Sequence, residues 1–126
     1  MRIRRYLLRF SFALATFILG AVCYSYFAYY SGKLEAHFDV IRGKYSIRVY
    51  GTQDGAVVEY KEILSNEYAV EMIAVGGCLV SQEIRDKADG YNETMETSIE
   101  KIYGQGVLED SWRRARAEYE KRLNRP

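Results

Sequence analysis

The sequence predicts an α+β protein in which an N-terminal transmembrane helix is followed by a small βαβ unit and an antiparallel helical hairpin. Three observations carry that expectation. Residues 10–30 contain no charged residue and no proline. A strand-like alternation at 44–50 and a β-branched apolar run at 70–75 bracket a stretch of helical period. Two further stretches of helical period, 81–103 and 107–123, are joined only by Gly104-Gln105-Gly106.

The first element is an anchor. A helix needs about 20 apolar residues to cross the hydrocarbon core, and 10–30 supplies them with apolar side chains all round, so every backbone group is satisfied within the segment. Arg2, Arg4, Arg5 and Arg9 precede the segment while only Lys33 follows closely. The positive-inside rule therefore keeps the N-terminus in the cytoplasm of a cell with an inner membrane and puts the rest on the periplasmic or extracellular side. Tyr24, Tyr26, Phe27, Tyr29 and Tyr30 cluster at the exit end, where amphipathic rings suit the headgroup layer. The competing reading is a cleaved secretory signal. Its apolar core is shorter than this run, and the near match to a cleavage site, Ala21-Val22-Cys23, is followed by bulky aromatics. Val22 stands where a lipoprotein signal has a small residue, so Cys23 reads as a small hydrophobe in the membrane helix.

The remaining elements follow in order. Leu34, Phe38 and Ile41 recur at helical spacing, so the membrane helix is expected to continue about three turns outside the bilayer, with those residues and His37 on its packed side. Gly43 ends it. The segment 44–50 alternates, with Tyr45, Ile47 and Val49 on one face and Lys44, Ser46, Arg48 and Tyr50 on the other. Thr52 or Asp54 caps a helix over 56–67 whose packed stripe is Val57, Tyr60, Leu64 and Tyr68. The run 70–75 reads as a second, more buried strand, parallel to the first. Two strands leave two unpaired edges, so completion of the sheet by association is expected. In 81–103 the apolar residues Ile84, Ala88, Tyr91, Met95, Ile99 and Ile102 form one stripe, and Asp86, Asp89, Glu93, Glu96 and Glu100 form another. The last helix buries Leu108, Trp112, Ala115, Tyr119 and Leu123, and its arginines are expected to pair with the acidic helix across the hairpin. The chain thus divides into a basic tip and anchor (1–33), a juxtamembrane helical extension (34–43) and a small α/β extracytoplasmic domain (44–126).

Candidate chemistry is sparse. The net charge is +1 with no basic patch, which together with the anchor argues against nucleic acid as a partner. One histidine, His37, and one cysteine outside the anchor, Cys78, are too few for a zinc site, and no calcium-loop spacing occurs, so no metal and no cofactor are expected. Cys78 follows Gly76-Gly77 at a strand-to-helix junction, where a helix N-terminus would favour a thiolate, and Cys78-x-x-Ser81 has the spacing of a monothiol redox motif. A thioredoxin-like site needs a cis-proline, and the only proline is Pro126. If Ser81 is the cap, Cys78 gains little from the helix, and a buried structural cysteine in a tight turn is the favoured reading. The acidic stripe could hold a cation or a basic partner, but a solvated helix face is the more common explanation of such a pattern. Asn92-Glu93-Thr94 is a glycosylation sequon, relevant only in a host that glycosylates exported proteins.

On Ala74-Val75-Gly76-Gly77-Cys78-Leu79-Val80 and Gly90-Tyr91-Asn92, the segment 45–103 resembles a group of short bacterial proteins with a hydrophobic N-terminus. The resemblance implies a bacterial membrane host and no activity. The reading reached is a single-pass anchored protein, held in the lipid bilayer through residues 10–30, with a non-enzymatic interaction or assembly role and a second copy or another protein as partner. A membrane-tethered thiol-redox protein using Cys78 and Ser81 is the alternative.

Overall fold

Residues 2–41 form one unbroken helix, α1 (Arg2–Ile41), whose 40 residues rise about 60 Å. The computed structural model describes residues 2–51, 53–77 and 79–125, apart from the side chains of 2–5, 8 and 25. Nothing interrupts α1 near residue 33, where the sequence reading divides anchor from extension. Gly43 closes it in the left-handed region at φ 70°, donating to the Val40 carbonyl at 3.0 Å while Lys44 donates to that of Asp39 at 2.9 Å.

The chain then runs β1 (Ser46–Val49), α2 (Gly55–Tyr68), β2 (Glu71–Ala74), α3 (Gln82–Tyr103) and α4 (Val107–Leu123). Asp54 caps α2, its carboxylate accepting from the Val57 amide at 3.1 Å, whereas Thr52 lies outside the described residues. The two strands pair in parallel, Ile47 opposite Met72 and Val49 opposite Ala74. The result is a helix-rich mixed structure with four helices and a two-stranded sheet. Its core joins Ile47, Leu64, Val70, Met72, Met95 and Ile99 to Ala36 of α1 and Tyr91 of α3.

Four expectations are revised by the packing. Leu34, Phe38 and Ile41 of α1 are exposed, as is His37, because the helix turns Ala28, Gly32 and Ala36 to the domain instead. These small residues allow the approach. A Cβ on Gly32 would lie 2.0 Å from the Lys87 carbonyl oxygen, and one on Gly90 would lie 2.1 Å from that of Tyr29. Gly90 is thus a contact residue inside a continuous helix. The second strand is the less buried one, with only Met72 covered, since no described strand lies beyond β2 to shield Glu71 and Ile73. Finally, α4 lies mainly along α2 rather than along α3. Trp112 meets Tyr60 edge-on at 5.4 Å, and Arg114 and Arg122 pair with Glu67 and Glu59 of α2, not with the acidic face of α3. Leu123, at the end of the expected buried stripe, is exposed.

Candidate functional site

The densest polar arrangement is centred on Arg48, a residue the alternation of β1 places on the strand's polar face. That face is covered by α1 and α3. The Arg48 side chain is only 13% exposed and meets both carboxylate oxygens of Glu35 in α1, a planar donor fork matched to a planar acceptor. Lys87 of α3 reaches the same carboxylate at 3.0 Å. The two cations hold the Glu35 carboxyl below the usual carboxylate range, the hydrogen bond from Arg48 being the larger cause.

Beneath the guanidinium, 3.7 Å from its carbon to the ring centroid, lies Tyr91. Its hydroxyl donates to Asp39 at 2.8 Å. A phenol has one proton, so the 2.7 Å contact with Ser46 is made by the serine hydroxyl donating to the tyrosine oxygen. Burial pushes the Tyr91 hydroxyl up from the ordinary phenol range, which keeps it neutral at physiological pH. Arg48 is also held through its backbone. Its N–H donates to the Asn92 side-chain oxygen at 2.8 Å and its carbonyl accepts from the Asn92 amide nitrogen at 2.7 Å. Asn92 therefore occupies the outer edge of β1 as another strand would, and its amide is committed to that edge rather than open to a glycan.

Two hollows flank this cluster, of about 540 and 420 Å³, sharing Glu35 and Arg48 as a wall. Asp39, Glu71 and Tyr91 line the first, Val75, Ile84 and Lys87 the second. Of the three cations lining them, Arg48 and Lys87 are already spent on Glu35 while Lys44 lines the first hollow, and the hydroxyls of Tyr91 and Ser46 are engaged with Asp39 and with each other. What the arrangement does is fasten α1, β1 and α3 together at one point.

The residues singled out from sequence lie elsewhere. Cys78 lies outside the described residues. Ser81 is the N-cap of α3, its hydroxyl accepting from the Ile84 amide at 3.3 Å, so this hydroxyl is engaged in capping. The acidic stripe is partly used within the chain. Glu93 accepts from Lys33 at 2.9 Å and from Tyr29, and Asp89 from Tyr50 at 3.3 Å. Glu96 is instead held above the usual carboxylate range, first by desolvation and then by Glu100 and Glu93. Among the described residues, no three His, Cys, Asp or Glu side chains converge on a point that could hold a metal ion.

Sequence reasoning missed Glu35, Arg48, Tyr91 and Asn92 as a unit. They come from three elements at separations no local period encodes. One signal was readable, the spacing of four between Ala28, Gly32 and Ala36 on a single helix face. No family model, curated protein or solved structure matches the chain.

Proposed function

We propose that this chain is a single-pass membrane protein, N-terminus cytoplasmic, that holds a small domain rigidly against the outer face of a bacterial inner membrane as a non-enzymatic interaction or assembly module. Within that domain we read β1, α2 and β2 as a right-handed βαβ unit. One observation carries the reading. The helix long and apolar enough to cross a membrane is also a structural wall of the domain, with Ala36 in its core and Glu35 clasped by Arg48. An anchor that merely tethered would need no such seat.

The seat also bears on where the bilayer ends. Tyr24 lies beside Glu83, and Ala28 is buried, so the domain grips α1 from within the aromatic cluster onward. The domain would thus rest on the headgroup layer instead of standing off on a stalk. The test is alkaline extraction of membranes combined with protease added to spheroplasts of a bacterial expression host. The full-length chain is expected to stay with the membrane and to lose its C-terminal domain to external protease. Release of a shortened, soluble chain would mean that the N-terminal segment is a cleaved signal.

A further inference from the structure

The half of α1 that seats the domain has a second face with no occupant. Phe27, Tyr30, Leu34, Phe38 and Ile41 are all more than half exposed, Ile41 at 80%. At about 100° per residue they fall within an arc of roughly 80°, centred opposite Gly32 and Ala36. Isolated exposed hydrophobes are ordinary, but five large ones in line on one helix are not. No Asp, Glu, Lys or Arg shares their arc between Phe12 and Ile41. The charges this half does carry are turned toward the domain, Lys33 to Glu93, Glu35 to Arg48 and Lys87, and Asp39 to Tyr91.

We infer that two copies of this chain pair in parallel along this outward stripe of α1. The inference rests on the membrane-anchored reading. A helix fixed in a bilayer by its apolar segment presents the stripe at one depth and in one direction. A second copy presents the same residues at the same depth and direction, so Leu34 meets Leu34 and Ile41 meets Ile41 about a two-fold axis, whereas any other partner would need a matching stripe at the same height. Confinement to one membrane also raises the effective concentration of the two copies, so a modest apolar seam suffices. From Phe27 to Ile41 the stripe recurs at spacings of 3, 4, 4 and 3. That mean of roughly 3.5 is the period of a left-handed parallel coiled coil. The domains sit on the far sides of both helices and do not obstruct the seam.

Carried back into the uncharged segment, the same phase reaches Cys23, which is free and exposed. It serves as a built-in reporter. The experiment uses the full chain with Cys78→Ser in membranes, oxidised with copper–phenanthroline. The expected product is a disulfide dimer of twice the 14.6 kDa chain. Moving the thiol around the helix, with Cys23→Ala combined with Ala21→Cys or Val22→Cys, is expected to slow cross-linking about tenfold, because those positions face away from the arc. Leu34→Lys with Ile41→Lys is expected to abolish it while Trp112 fluorescence stays native, since both side chains are exposed in the single chain. Equal rates at positions 21, 22 and 23, persistence of the dimer in the double lysine variant, or a cross-linked band of another mass would each overturn the pairing. Alkaline washing of the same membranes separates the two failures. A chain that is retained but monomeric refutes the pairing alone, and a chain that is released refutes the anchor.

Discussion

Both halves of α1 are rich in large apolar residues and each carries one glycine, yet a methyl group added at Gly20 would meet nothing within 4 Å, while one added at Gly32 would strike the Lys87 carbonyl oxygen. In the first half, large side chains such as Phe10, Phe12 and Phe17 stand exposed on every side. In the second, one face is cut down to Ala28, Gly32 and Ala36 and another helix backbone fills the space. The difference teaches that a continuous helix can pass from standing bare to being packed along its length without changing its backbone. What changes is which face is small and what lies across from it.

The largest effect should therefore come from glycine. Gly32→Ala or Gly90→Ala forces α1 and α3 apart and is expected to cost about 3 kcal/mol, because the neighbour that must give way is backbone. Gly20→Ala should fall within about 0.5 kcal/mol of the parent, helix propensity favouring alanine. Urea unfolding of the full chain in detergent, followed by Trp112 fluorescence, reads all three. Equal effects at Gly20 and Gly32 would erase the contrast between the halves.

Next comes the clasp. Arg48→Ala removes the fork from Glu35 and the cation from the Tyr91 ring, for an expected loss of about 2 kcal/mol. If the clasp is one unit, adding Glu35→Gln to that variant costs less than it does alone, which a double-mutant cycle measures. Asn92→Ala strips both partners from the Arg48 backbone at the edge of β1, an expected loss of about 1.5 kcal/mol. It should also make the full chain self-associate through that edge, visible as a concentration-dependent larger species in light scattering.

The smallest effect is a pH dependence. Glu35 is lowered from its ordinary 4.5 in the folded chain, so its contribution is fully present above that value and is lost as pH falls through the lowered one. The unfolding midpoint of the parent should drop more steeply than that of Glu35→Gln as pH falls below the ordinary 4.5. Parallel curves for the two would detach Glu35 from the clasp.

Much of the fold could be read from local pattern. The ends of α4, the cap at Asp54, the cap at Ser81 and the packed stripe Ala88, Tyr91, Met95 and Ile99 each follow from spacing and capping chemistry that act over a turn or two. The face of α1 was misassigned for a reason of the same kind. Periodicity finds the larger apolar stripe, Leu34, Phe38 and Ile41, and assumes burial, whereas close packing of two helices selects the small one. The clasp was illegible because Glu35, Arg48 and the pair Lys87 and Asn92 come from three separate elements, and each alone looks like an ordinary surface residue.

By itself, then, the sequence determined the order of the helices and strands and their approximate extents, and that one helix is long and apolar enough to cross a membrane, since those depend on neighbours a few residues away. Only the tertiary structure decided that the same helix is a wall of the domain, that α4 rests mainly on α2, and that β1 has one edge sealed by Asn92. Those outcomes depend on how surfaces distant in the chain fit together, and the fit is set by the volume of residues such as Gly32 and Gly90 in one another's presence.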